Sequence, residues 1–304
     1  MANLVFSDLQ AEVYAHTGLD STDSTNQTNV NRWVNYSQQD ICARYPWAFM
    51  EGRETVVTVP DYTTGTVSVT SGGTTVTGLG TTFTSSMAVN YYIQFDGSND
   101  WYKIATYTNP TQIAIDTAYA GSTSLSGSTF IIRKIFYSLS SSCDRIIDIR
   151  NWQTPTRLIQ VDARTLDDIR PNPQSTNSSY GYLAWGYDSS GNMQVSPYPF
   201  PSDARLLELR TLKRPTDMSG ASDTPSIPNK YAHIIAWGAT AIAFASMRKF
   251  DIATVWNAKI EQRIDEMKKE YKMTEDDQPI MRSIDSVQRS RWMQFPEQFP
   301  VVGS

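Results

Sequence analysis

Histidine and cysteine are nearly absent, with two of each among 304 residues. His16 and His233 each fall on an expected helix, with no cysteine or second histidine at ligand spacing. Neither a metal centre nor histidine-based catalysis is therefore expected, and each reads as a core or cap histidine. Cys42 and Cys143 lie far apart without CxxC spacing and are expected as free thiols. Charge is sparse as well. Charged residues make up 19% of the chain and the net charge is -5, which argues against a protein built to grip phosphates.

Long apolar runs are missing. The most hydrophobic stretch, Ile234 to Met247, is short and dominated by small residues, below the length of a membrane span. Phe6 is followed at once by Ser7, Asp8 and Gln10, which does not resemble a signal peptide, so synthesis in the cytoplasm and no membrane contact are expected. No Walker-type loop and no G-x-S-x-G elbow occur. Gly78-Leu79-Gly80 lacks the third glycine of a dinucleotide site and reads as a strand bend. The pairs Asp167-Asp168 and Asp276-Asp277 are adjacent residues that point apart on a helix. The loop Asp96 to Asp100 lacks the later glutamate of a calcium loop and reads as a hairpin turn. The sequence thus predicts no catalytic residue, no metal site and no cofactor.

What is present is plentiful Ser, Thr, Asn and Gln, with 12% aromatics, arranged in a definite order. Ser7 can cap a first helix, which Gly18 ends after Leu9, Val13 and His16. A polar loop from Asp20 to Gln27 is expected, then a helix from about Thr28 to Tyr45 stopped by Pro46. From Glu54 to Tyr137 the alternation becomes that of strands. Thr66 to Thr70 turns at Ser71-Gly72-Gly73 into Thr74 to Thr77, and Tyr91 to Phe95 turns at Asp96-Gly97 into Trp101 to Ile104. Ile113 to Ile115 and Phe130 to Ile132 continue the pattern. Thr55 to Val59 and Ile131 to Tyr137 are both apolar and are expected to pair, closing an inserted module.

Arg145 to Ile149 and Arg157 to Val161 are the next expected strands, followed by a short helix near Asp162 to Ile169 closed by Pro171 and Pro173. Tyr182 to Tyr187, Met193 to Ser196 and Ala204 to Lys213 form a meander. A helix follows Pro228 and runs through Trp237 to about Lys249. Asp251 is placed to cap the last one, whose stripe is Ile252, Val255, Trp256, Ile260, Ile264, Met267 and Tyr271, with Trp256 expected in the core.

The segment Asn31 to Trp47, a polar-apolar repeat ending in Tyr45-Pro46-Trp47, resembles the second helix of tailed-phage head-to-tail connector (adaptor) proteins. Gly65 to Thr82 is similar to a β module recurrent in phage virion proteins, and Leu212 to Met218 with Ile227-Pro228 to the family's carboxyl-terminal part. The resemblance covers most of residues 1 to 275, and the order of parts carries it more than any single motif. It implies an α+β fold with a helical core formed by the N- and C-terminal helices, an all-β insertion and a second small β meander. The implied domains are residues 1–53 and 138–275 as adaptor core, 54–137 as inserted module and 276–304 as an extended arm. It also implies a structural protein of the virion neck, in a homo-oligomeric ring of twelve below the portal protein. Such a ring extends the DNA channel, lets double-stranded DNA pass without specific binding, and docks tail or neck proteins. The small residues Gly238, Ala239, Ala241, Ala243 and Ala245 suit close helix packing, within or between subunits.

Beyond Thr274 periodicity ends, yet Trp292, Phe295 and Phe299 recur beside Arg289 and Arg291. Pro296 and Pro300 hold such a segment extended or in turns. These five residues are the expected partner-binding set, for portal or a neighbouring subunit. Rival readings are a tail-completion or baseplate component, or a carbohydrate-binding module using Tyr91, Tyr92, Trp101, Tyr102 and Tyr107. A hydrolase is the weakest.

Overall fold

A computed structural model describes residues 3–153, 156–164, 179, 181–201 and 203–273. Among these the protein is α+β, with four helices and two seven-stranded sheets. They fall into two compact units: residues 3–52, 142–147 and 210–273 in one, and 53–141 with the described part of 148–209 in the other.

The first unit contains α1 (Phe6–Thr17), α2 (Ser24–Arg44), α3 (His233–Ser246) and α4 (Phe250–Tyr271). The start of α1 departs from expectation because Ser7 is already inside the helix. Its first free donors are met elsewhere, with Phe6 N–H donating to the Asp223 carbonyl and Ser7 N–H to that of Ala221. Gly18, at φ +70°, closes the helix by donating to the Tyr14 carbonyl. Part of the expected Asp20–Gln27 loop is also helical. Asp23 accepts from Thr25 N–H and Asn26 N–H, so α2 starts four residues before Thr28.

Leu9, Val13, Val30, Val34 and Ile41 from the amino-terminal helices share one apolar cluster with Ile234, Ile235, Ala239, Ile260 and Met267. Close approach of α2 to α3 depends on Gly238, where an added Cβ would stand 2.1 Å from the Ser37 hydroxyl and 3.0 Å from its Cβ. Ser37 is buried, and its Cβ as well as its hydroxyl would be crowded. Gly238→Ala is expected to destabilise this unit by about 1–3 kcal/mol through overpacking. Thermal melting checks it, and adding Ser37→Gly should restore part of the loss.

The helix α4 corrects two expectations. Lys249, not Asp251, stands at its cap position, and Asp251 lies in the first turn, where an acid suits the helix dipole. The buried stripe is Ala253, Ile260, Ile264 and Met267, whereas Ile252 and Val255 are exposed. Trp256 is half-buried, its ring 4.6 Å from His16 and 6.1 Å from Trp237. Trp256→Ala should therefore cost about 1–2 kcal/mol, from partial burial and ring pairing, less than a core tryptophan. Urea titration of the variant measures this.

In the second unit, β2 (Thr66–Val69), β3 (Thr75–Leu79), β4 (Tyr91–Phe95), β5 (Trp101–Asn109), β6 (Gln112–Ile115), β7 (Leu125–Ser128) and β8 (Phe130–Lys134) make one sheet. Their order is β7-β2-β3-β6-β5-β4-β8, every pair antiparallel. The expected first hairpin forms with Val69 opposite Val76, turning through Gly72 at φ +72°. Val67, Val76, Ile93, Phe95, Ile104, Ile113 and Ile132 fill its core.

The other sheet contains β1 (Glu51–Val57), β9 (Tyr137–Ser138), β10 (Cys143–Asn151), β11 (Thr156–Gln160), β12 (Gly181–Tyr187), β13 (Met193–Tyr198) and β14 (Leu206–Lys213). The order is β1-β14-β10-β11-β12-β13-β9. The chain passes from one unit to the other within β1, β10 and β14. The expected ladder between Thr55–Val59 and Ile131–Tyr137 does not form. The strand β1 pairs with β14, and Tyr62, a few residues on, bridges Ile132 instead. The meander is likewise altered, because β14 lies between β1 and β10 and not beside β13. Most of the helix expected at Asp162–Ile169 lies outside the described residues.

Candidate functional site

Histidine chemistry finds no constellation here. The His16 ring packs on Trp256 and the His233 ring on Trp237 at 4.8 Å. Burial, aided by the Arg263 charge, holds His233 below its usual pKa, which favours the neutral imidazole. Both thiols are buried, and burial pushes that of Cys42 up to about 12, far from a reactive thiolate. No group of three or more His, Cys, Asp or Glu among the described residues is arranged to hold a metal. No helix among them is long and apolar enough to cross a membrane.

The expected partner-binding set, Arg289, Arg291, Trp292, Phe295 and Phe299, lies outside the described residues. The aromatics of a possible sugar platform are placed otherwise than that reading needs. Tyr91 and Tyr102 face the core, and Trp101 is half-buried beneath the Arg133 guanidinium at 5.2 Å. Tyr92 and Tyr107 are half-buried too. None of the five is fully exposed. The small residues of α3 are committed inside their own unit: Ala239, Ala241 and Ala243 are buried and Gly238 meets Ser37.

Several large apolar side chains stand open, and two groups of them cluster. In the second unit Val57, Trp152 and Leu206 are 58%, 63% and 39% exposed. Trp152 N–H donates to the Leu206 carbonyl, and Thr58 N–H to that of Arg205, so the three occupy one end of adjacent strands. In the first unit Phe250, Ile252 and Val255 stand exposed on the opening turns of α4. Trp152 had one signal in the sequence, an aromatic directly after the alternation of β10 ends. Val57 and Leu206 had none, because each continues a strand pattern. Large apolar groups left in water at a strand end are the chemistry of protein-protein contact.

A family model described as SU10 adaptor protein matches residues 6–284. The chain belongs to this family of phage head-tail adaptors, structural proteins of the virion. No curated protein matches the chain. The match ends short of Arg289, so the five expected contact residues fall beyond it.

Proposed function

We propose that this chain is a head-to-tail adaptor of the virion neck, assembled as a ring below the portal, where it extends the DNA channel and docks tail or neck proteins. The observation carrying this reading is the family match over residues 6–284. A net charge of -5 supports passage of double-stranded DNA without tight binding, since few clustered cations meet the phosphates. Residues 1–53 and 138–275 act as the adaptor core, with 54–137 inserted as a β module and 276–304 as an arm. The exposed Val57, Trp152 and Leu206, and the opening turns of α4, are surfaces for neighbouring subunits or tail proteins.

The arm is the portal anchor in this reading, through Arg289, Arg291, Trp292, Phe295 and Phe299. Deleting residues 278 to 304 should leave a folded subunit that fails to join portal, read by co-sedimentation and by imaging of the mixture. Rings on portal at wild-type affinity would remove the arm from that role. A full-length protein that neither binds portal nor assembles on it would remove the neck reading and favour another tail or baseplate position.

A further inference from the structure

We propose that the cavity beside the β4–β5 hairpin is a binding site for a single sugar residue. It goes beyond the adaptor reading and does not depend on it. The register places the relevant groups. Tyr91, Ile93 and Phe95 of β4 point into the sheet's core, so Gln94 points to the opposite face. On that face Trp101 of β5 stands across from Gln94, and Ile131 of β8 flanks it on the other side. The bridge between Tyr62 and Ile132 sets Thr63 alongside Ile131.

Gln94 is 4% exposed and lines the cavity, which measures about 370 Å³. Its buried side-chain nitrogen has no hydrogen-bond partner among the described residues, and neither has the buried indole nitrogen of Trp101. An unmet buried donor costs about 1–3 kcal/mol, so the Gln94 nitrogen in the cavity wall calls for an acceptor from outside the chain. At the rim stand Asp96, Ser98 and Thr129, with Asp96 Oδ2 already accepting from the Thr129 hydroxyl at 2.8 Å. Phe95 and Phe130 complete the wall.

A donor in the wall and a carboxylate at the rim select the ligand class. An anion would satisfy the donor but meet Asp96, and no Lys or Arg lines the cavity to offset it. An apolar molecule would leave the Gln94 donor unmet. A hydroxyl accepts from an N–H and donates to a carboxylate through the same oxygen, so a polyol ring satisfies both ends. The volume falls within the usual span of small-molecule clefts, about 300–1,000 Å³. With both lining aromatics, Phe95 and Phe130, buried, affinity in the millimolar range is expected.

The test uses the full-length chain and saturation-transfer NMR with glucose, galactose, mannose, rhamnose and N-acetylglucosamine. At least one should show saturable transfer, weakened about tenfold or more in both Gln94→Leu and Asp96→Ala. Gln94→Leu removes the unmet donor, so its melting temperature should be unchanged or raised, which keeps a binding loss from being ascribed to unfolding. The proposal fails if no sugar gives saturable transfer, or if binding survives both substitutions. It also fails if a blocked tetra-alanine peptide, run in parallel, binds in a Gln94-dependent way while the sugars do not, since the acceptor would then be a peptide carbonyl.

Discussion

Replacing Trp47 with alanine is expected to remove about 3–5 kcal/mol from the helical unit, the range for truncating a large buried aromatic. Trp47 is fully buried just past the end of α2. Its indole N–H donates to the Ile41 carbonyl at 2.9 Å. Its ring stacks on Phe49 at 5.7 Å and meets Tyr45 edge-on at 5.3 Å. The backbone beside it is tied to the end of α4, through a bridge between Trp47 and Lys272 and a hydrogen bond from Met273 N–H to the Pro46 carbonyl. Truncation therefore opens a cavity at the point where the first and last parts of the unit meet. For a transition of this size the loss corresponds to a fall of about 10 °C in melting temperature. Trp47→Phe keeps much of the volume but not the donor, and should fall between wild type and alanine. A Trp47→Ala melt matching wild type would mean that the Tyr45-Pro46-Trp47 step does not hold the helices together.

That step shows what was legible in the sequence. Proline after a helical repeat dictates where α2 stops, and an aromatic directly beyond it has to find cover. The hairpins were legible for the same reason, since Ser71-Gly72-Gly73 and Asp96-Gly97 supply the backbone that a reversal needs. Strand partners were not. Thr55–Val59 and Ile131–Tyr137 have matching apolar character, but pairing depends on which edges the rest of the sheet leaves free, and that is settled by distant residues such as those of β14. Helix starts failed differently. A cap by Asp23 and a pair of remote carbonyls at Phe6 and Ser7 do the work that periodicity assigned elsewhere.

The candidate surfaces were less legible than the fold. Ile252 and Val255 continue a helical spacing that would ordinarily mark a buried face, yet α4 turns Ala253, Ile260 and Ile264 inward instead. Spacing alone fixes which residues share a face, and not which of two apolar faces wins the core. Gln94 was invisible for the converse reason. A lone glutamine in Tyr91-Tyr92-Ile93-Gln94-Phe95 reads as the wet side of a strand, and only the neighbours set by register bury it.

Asp61→Ala is expected to destabilise the second unit by about 3–5 kcal/mol, the range for removing one partner of a buried ion pair. Arg133 of β8 is 2% exposed, and its guanidinium donates to both carboxylate oxygens of Asp61, with Nε to Oδ1 at 2.8 Å. The same guanidinium lies over the Trp101 ring. Arginine stays protonated at any accessible pH, so losing the carboxylate leaves a cation in a site from which water is excluded. The consequence is structural as well as energetic, because Asp61 belongs to the segment whose Tyr62 bridges Ile132 and whose Thr63 flanks the Gln94 cavity. Asp61→Asn should recover little, since an amide keeps the shape but not the charge. The double replacement Asp61→Ala with Arg133→Met should recover most of the loss, because no buried charge remains to be compensated. Denaturant titration of the four proteins closes the cycle. Additive losses from the two single changes would mean that the carboxylate and the guanidinium stabilise the unit separately and that the ion pair is not what holds the segment at residues 60–63 to β8.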